Sequence, residues 1–238
     1  MEDRSLFGYQ GDVVVDASAM QRYITHVFTW MVAGLAVTGS IAWWFADSGL
    51  ISMLYTDTGM SMLGWVVTLA PLGFILAMNF GFERFSAIGL SAVFLLFSAT
   101  MGVSLSYIFV VYNIGSIATV FAITAGTFAI MAAVGYTTKT DLTRFGSLLM
   151  MALIGIVLAS LVNLWIGSER MDYIISILGV LIFTGLIAYD TQKIKQIGAT
   201  VGLENERGRK LALLGATSLY LDFINLFLFL LRLLGRRD

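Results

Sequence analysis

Seven long, uninterrupted apolar segments dominate this 238-residue chain. Each approaches the roughly 20 apolar residues that a helix needs to cross the hydrocarbon core of a bilayer. The strands of a membrane β-barrel are about half as long and alternate in polarity, a pattern that these segments lack. The sequence therefore predicts an all-α polytopic membrane protein with seven transmembrane helices. The predicted spans are Tyr23–Phe45, Met60–Phe80, Ser86–Val110, Ile117–Tyr136, Phe145–Ile166, Tyr173–Ile197 and Leu211–Leu234.

Charged side chains are scarce in this chain and lie mostly at the ends of the apolar segments and in the connections between them. They make up 12% of the residues, whereas a typical soluble domain has about 25%. The formal net charge is −1, and the chain has no cysteine. This composition excludes a soluble globular enzyme, a disulfide-built secreted domain and a nucleic-acid-binding protein. We expect the lipid bilayer as its surroundings, no nucleic-acid partner and no cofactor.

The distribution of basic residues predicts the orientation of the spans. Residues 1–22 form a polar tail without the apolar stretch of a signal peptide, and residues 23–238 form a single transmembrane domain. If the tail is cytoplasmic, ten Lys and Arg residues lie in the cytoplasm, in the tail and in the second, fourth and sixth connections between the spans, and only Arg170, in the fifth connection, lies outside. This asymmetry predicts a cytoplasmic N-terminus.

The last apolar segment breaks this charge pattern. If Leu211–Leu234 spans the membrane, Arg232 and the two arginines that follow it lie outside, whereas a segment that enters and folds back returns them to the cytoplasm. The segment also carries Asp222 near its centre, which costs roughly 2.5 to 3.5 kcal/mol at the middle of a lipid-exposed helix. We expect a seventh helix shielded from lipid by the other six, with a re-entrant segment as the alternative.

Two aspartates stand out because they lie within the apolar segments. Asp190 ends the apolar run of the sixth segment, but a helical pattern continues for about two turns, so this residue is expected inside the bundle. In the seventh segment, Gly215, Ser218, Asp222 and Asn225 share one helical face. Such a polar stripe on an apolar helix is expected to face protein or water instead of lipid.

The two aspartates are expected at similar depth, since the sixth helix runs towards the side from which the seventh starts. Two carboxylates close together in a medium of low dielectric constant cannot both ionise cheaply, so Asp190 and Asp222 would share a proton and titrate as a coupled pair. The alternative is that each aspartate separately bonds to backbone groups.

The residues around both aspartates resemble a known family. The run Ala188-Tyr189-Asp190-Thr191-Gln192 and the run Leu219–Phe227, which reads LYLDFINLF, are similar to motifs of the transmembrane Bax inhibitor motif (Bax inhibitor-1) family, with the bacterial branch as the nearest match. The resemblance implies a seven-helix fold with the C-terminal helix central and ringed by six. It also implies a pH-sensitive calcium leak, promoted by acid, in a bacterial inner (plasma) membrane.

The resemblance further implies roles for individual residues. Asp190 and Asp222 correspond to the hydrogen-bonded aspartates that sense protons and line the ion pathway in the family, with Ser218 and Asn225 as a supporting polar stripe. These oxygens would offer Ca²⁺ only a weak, partial site, because Ca²⁺ prefers six to eight oxygen ligands. A family member latches the second aspartate with an arginine of the second helix. Arg84 is the candidate for this latch in the present chain. The alternative is that Arg84 only contributes to the positive charge of a cytoplasmic loop.

Two other functions are compatible with the pattern. The chain could regulate or bind a membrane protease or another membrane complex, since some bacterial relatives are associated with membrane proteolysis. Paired aspartates also serve intramembrane aspartyl proteases, in which one carboxyl acts as base and the other as acid. That class needs GxGD where this chain reads LYLD, and a Pro-Ala-Leu element where Pro71 is followed by Leu72. We therefore expect no catalytic residues and no enzymatic activity.

Overall fold

The computed structural model describes residues 17–56 and 59–236, and in them the chain forms seven helices that are long and apolar enough to cross a membrane. The protein is therefore an all-α integral membrane protein, as predicted. The third crossing combines a long helix with a short continuation after a turn. The helices are α1 (Ala17–Asp47), α2 (Met62–Phe80), α3 (Ala87–Leu105), α4 (Ile108–Val111), α5 (Ile114–Thr137), α6 (Thr143–Ile166), α7 (Glu169–Val201) and α8 (Glu206–Leu234).

The connection between α1 and α2 is the one described part of the chain with strands. One turn of 3₁₀ helix, Leu50–Met53, precedes strand β1 (Tyr55–Thr56), which pairs antiparallel with strand β2 (Gly59–Met60). Ser61 then accepts a hydrogen bond from the Gly64 amide and begins α2.

Polar N-cap residues determine where most of the spanning helices begin. An N-cap oxygen satisfies an amide of the first helical turn that has no partner within the helix, so these residues favour a helix start at the membrane surface. Besides Ser61, the side chains that accept such a bond belong to Ser86, Asn113, Ser168 and Asn205.

Five helices are longer than the predicted spans, and three of them are longer by five residues or more. Helix α1 begins at Ala17 instead of Tyr23, α7 continues to Val201, and α8 begins at Glu206 instead of Leu211. Hydropathy marks only the part of a helix that lies in hydrocarbon, whereas helical hydrogen bonding continues into polar residues at the surface. Residues 17–22 of the predicted N-terminal tail are therefore helical, and its residues 1–16 lie outside the described part of the chain.

Helix α8 is the most buried of the seven spanning helices. It packs mainly against α1, α3, α5 and α7, whereas α2 packs chiefly on α3, and α6 chiefly on α7. The last helix is therefore central, as the resemblance implies, but only four neighbours contribute most of its contacts. Its 29 residues form one continuous helix, so the structure has a full-length seventh helix instead of a re-entrant segment.

Candidate functional site

Helices α7 and α8 are antiparallel neighbours joined by residues 202–205. Gly202 has φ 62°, in the left-handed region that favours glycine, and makes the turn between them. A side chain added at Gly179 would meet the ring of Phe229, and one added at Gly215 would meet Ile194. These two close approaches fix the register of α7 on α8. In this register Asp190 lies at the level of Ser218. Asp222 lies one helical turn, about 6 Å, further from the connection.

Asp190 is half-buried between α7 and α8, and it faces a cavity. Its carboxylate lies within hydrogen-bonding reach of the Ser218 hydroxyl and close to the charged end of Lys193. The cavity has a volume of about 320 Å³, and Ile75 and Asn79 of α2 form its other wall. Asp190 is therefore accessible from a space between α2, α7 and α8.

Asp222 is only 6% exposed and lies in the core of the bundle. Its carboxylate is close enough to Asp190 for the two charges to interact. Within residues 17–56 and 59–236, two buried side-chain oxygens lack a hydrogen-bond partner: Asp222 Oδ2 and Thr191 Oγ1. Buried polar atoms are nearly always hydrogen-bonded, so two exceptions on adjacent helices near Asp190 single out this part of the structure.

The remaining members of the predicted polar stripe have separate partners. Ser218 faces Asp190, as described above, and Gly215 packs on Ile194. The Asn225 amide donates to the Leu221 carbonyl of its own helix, at 2.8 Å between the nitrogen and the oxygen. The structure therefore brings Asp190, Ser218 and Asp222 together but directs the Asn225 amide donor back to α8.

Arg84 does not lie beside the aspartates in this conformation. It is exposed in the turn between α2 and α3, and no salt bridge joins it to Asp190 or Asp222 among the residues that the structure describes. Its function as a latch stays a prediction.

Two glycines seat the segment around Asp190 on the neighbouring helices. A side chain at Gly135 of α5 would collide with the backbone of Ala188, and one at Gly146 of α6 would collide with the ring of Tyr189. These contacts bring α5 and α6 against the two residues that precede Asp190 and limit the movement of that turn of α7.

Polar side chains of α7 also hold the connection between α5 and α6. The Gln192 amide donates to the Thr140 carbonyl at 2.8 Å and accepts from the Leu142 amide at 2.9 Å. The Lys195 ammonium donates to the Tyr136 carbonyl at 2.7 Å and lies over the Tyr136 ring. We call Gln192 and Lys195 the α7 strap.

An equivalent pair on α8 holds the connection between α2 and α3. The Lys210 ammonium donates to the carbonyls of Phe82 and Phe85, at 2.7 and 3.2 Å, and the Glu206 carboxylate accepts from the Ala87 amide at 2.9 Å. We call Glu206 and Lys210 the α8 strap. In the sequence, Lys195 and Lys210 contribute only to the predicted orientation of the spans. Their partners are backbone carbonyls, which every residue has, so no sequence pattern indicates these hydrogen bonds.

Among the described residues outside the spanning helices, Asp141 is the one carboxylate whose pKa is clearly shifted. Asp141, in the connection before α6, accepts hydrogen bonds from both the hydroxyl and the backbone amide of Thr143, at 2.6 and 2.9 Å. These two bonds stabilise the charged form and lower the pKa of Asp141. Asp141 therefore stays ionised throughout the physiological pH range.

The described residues contain no group of three or more His, Cys, Asp or Glu side chains that could hold a metal ion. Asp190, Asp222 and the Ser218 hydroxyl supply fewer oxygens than the six to eight that Ca²⁺ prefers. The arrangement is therefore not suited to tight binding of a metal ion.

Comparison with known proteins adds an independent line of evidence. Residues 20–238 match the family Bax1-I, described as inhibitor of apoptosis-promoting Bax1. The inner membrane protein YbhL of Escherichia coli strain K12 is 43% identical over 232 residues, which cover 97% of this chain and 98% of that protein.

Other bacteria contain similar proteins that match over most of their length. A protein of Borreliella burgdorferi is 43% identical over 216 residues, covering 91% of this chain and 92% of its own. One of Deinococcus radiodurans is 35% identical over 219 residues and covers 92% of both. The similarity thus extends over all seven spans and is not confined to the last two.

Proposed function

The chain belongs to the Bax inhibitor-1 (Bax1-I) family of membrane proteins, and we propose that it is a pH-sensitive calcium (cation) leak channel of the bacterial inner membrane, gated by protonation of Asp190 and Asp222. The E. coli relative carries the name inner membrane protein, which supports the choice of membrane. The proposal assigns the aspartates no catalytic role.

The observation that carries this proposal is the environment of Asp222. Its carboxylate is buried, has one oxygen without a partner, and lies next to a second carboxylate instead of a basic group. An unpaired charge in such a place costs several kcal/mol, and a second negative charge adds repulsion between α7 and α8. A proton held by the pair removes this repulsion, so the proton number of the pair biases the packing of the two helices.

The α7 strap and the α8 strap connect the packing of α7 on α8 with the rest of the bundle. Helix α7 is hydrogen-bonded to the connection between α5 and α6, and α8 to the connection between α2 and α3. A change in the distance between α7 and α8 therefore displaces two helix pairs with respect to each other. Such rigid-body shifts are a common form of switching transition.

The cavity beside Asp190 supports the proposed ion pathway. It is bounded by α2, α7 and α8, and Asp190 and the Ser218 hydroxyl contribute oxygen atoms to its wall. Because these few oxygens bind Ca²⁺ weakly, an ion that reaches them can also leave, which conduction requires.

The test is calcium flux into liposomes that contain the purified protein, measured between pH 5 and pH 8. We expect flux that changes with pH, increases in acid, and loses its pH dependence in Asp190→Asn and Asp222→Asn. The matched control is Asp141→Asn, because Asp141 is an exposed carboxylate of lowered pKa that keeps its charge over this range. Flux equal to that of empty liposomes at every pH, or an unchanged pH profile in both variants of the pair, would contradict the proposal.

A further inference from the structure

The cavity beside Asp190 extends towards the connection between α7 and α8. Along α7 its lining runs from Asp190 to Ile197, which is about 10 Å at the rise of an α-helix, and Leu211 of α8 lines the same end. Lys193 lies on this stretch, one helical turn from Asp190 in the direction of the connection. An ion that enters the cavity from this end therefore reaches Lys193 before it reaches Asp190.

Among the described residues, two charged side chains line this cavity, and they have opposite signs. Asp190 contributes a carboxylate and Lys193 an ammonium group, and the two are close enough for their charges to interact. The other polar lining residues carry no charge, and Asp222 lies behind Asp190 in the core without lining the cavity. When Asp190 is ionised, the lining thus has no net charge.

Lys193 differs from Lys195 and Lys210 in having no fixed partner. The ammonium groups of those two lysines donate to backbone carbonyls in the α7 strap and the α8 strap. Lys193 is exposed, and within residues 17–56 and 59–236 it makes no hydrogen bond and no ion pair of 4 Å or less. A lysine ammonium on its flexible four-carbon stem is a compact point charge, and here no other contact holds it away from Asp190.

A positive charge at this position opposes the entry of cations. Without it, an ionised Asp190 would give the cavity a net negative charge, and a cavity of one sign with apolar walls concentrates ions of the opposite sign. The ammonium group cancels most of that attraction. Its effect depends on the charge of the ion, because the same potential acts twice as strongly on a divalent cation as on a monovalent one.

We propose that Lys193 is a built-in counter-ion of the Asp190 cavity that keeps cations, and divalent cations most of all, from accumulating at Asp190. This inference rests on the proposed leak function and names the residue that limits the leak. Lys193 is a positioning residue in this assignment, since it acts on the ion through the potential of the cavity and supplies no ligand.

Ion flux into liposomes tests the effect of the charge. Fluxes of Ca²⁺ and K⁺ are measured at the same pH and low ionic strength for the wild type and Lys193→Met, which keeps the length of the side chain. We expect K⁺ flux to rise roughly threefold and Ca²⁺ flux roughly tenfold, because a lost repulsion counts twice for a divalent ion. Lys193→Arg keeps the charge and should match the wild type. The control Lys139→Met removes an exposed lysine outside the cavity and should also match it.

The charge of the cavity is also measurable without conduction. The chain has no cysteine, so Asn79→Cys places a single reactive thiol in the cavity wall. Its reaction rates with a cationic and an anionic methanethiosulfonate reagent of similar size report the local potential. In this background, Lys193→Met should raise the ratio of the cationic to the anionic rate roughly tenfold. Lys139→Met should leave the ratio unchanged.

Two results would overturn the proposal. An unchanged reagent ratio in Lys193→Met would show that its ammonium group does not control the potential of the cavity. Equal increases in Ca²⁺ and K⁺ flux would show that the substitution loosens the packing instead of removing a charge. A wild-type chain without flux at any pH would refute the leak function itself, and the reagent ratio alone would then decide whether Lys193 is the counter-ion of Asp190.

Discussion

The Tyr220 hydroxyl of α8 lies 2.7 Å from the Thr38 hydroxyl of α1, in the buried centre of the bundle. Thr38 donates its proton to the Ser98 carbonyl of α3 at 2.8 Å, so Tyr220 is the donor in the first bond. This chain of two hydrogen bonds joins three helices in the buried centre of the bundle.

Removing the first of these bonds should weaken the bundle. We expect Tyr220→Phe to lower the free energy of unfolding by about 0.5 to 2 kcal/mol, the range for hydrogen bonds between membrane helices. Thermal unfolding in detergent measures the change. In a double-mutant cycle with Thr38→Val, the two losses should not add, and additive losses would show that the bond contributes nothing.

The partnerless hydroxyl of Thr191 should be dispensable for stability. Thr191→Val keeps the shape of the side chain and removes a buried oxygen without a partner, so we expect the unfolding free energy to stay the same or to rise. The control is Thr217→Val on α8, since the Thr217 hydroxyl donates to the Leu213 carbonyl at 2.9 Å. Thr217→Val should cost about 1 kcal/mol, and equal losses in both variants would contradict the assignment.

Two glycines of α5 should respond oppositely to alanine. A methyl group at Gly135 collides with the Ala188 backbone, which cannot rotate away, so Gly135→Ala should destabilise the protein by about 1 to 3 kcal/mol. Gly126 faces open space, and Gly126→Ala should be neutral or stabilising because alanine favours helices. Melting temperatures of the two variants check this prediction, and a lower value for Gly126→Ala than for Gly135→Ala would refute it.

The α8 strap should protect the turn between α2 and α3. Lys210→Met preserves the length of the side chain but removes the hydrogen bonds to the Phe82 and Phe85 carbonyls. We expect faster cleavage by trypsin after the exposed Arg84 in that turn, measured by the rate at which the corresponding fragment forms. The exposed Lys139, in another connection, provides the control variant Lys139→Met, whose cleavage rate at Arg84 should equal that of wild type.

The seven spans were predictable because the hydrocarbon core of the bilayer requires them. Every backbone polar group in hydrocarbon must be satisfied within its own helix or a closed barrel, so length and hydropathy suffice to place the spans. The same argument placed Asp190 and Asp222 inside the bundle, since neither tolerates lipid. It could not place the helix ends at Ala17, Val201 and Glu206, where the helices continue into polar residues.

The contacts that set the site's geometry were not predictable from the chain alone. The register of α7 on α8 depends on glycines that meet Phe229 and Ile194, and a glycine in a membrane helix does not indicate which side chain it faces. The straps connect side chains to backbone carbonyls more than 50 residues away, and every residue has such a carbonyl.

The short connection between α7 and α8 makes the pair a lever. Residues 202–205 hold the two helices together at one end, so any separation pivots there. Asp190 lies roughly 16 Å from that pivot along α7, and Asp172 lies roughly 44 Å from it. Asp172 pairs with Arg232 of α8 at 3.6 Å, and both side chains are partly exposed. A displacement at Asp190 is therefore multiplied between two- and threefold at the far end, where this ion pair and the packing of Phe229 on Gly179 and Phe183 oppose it.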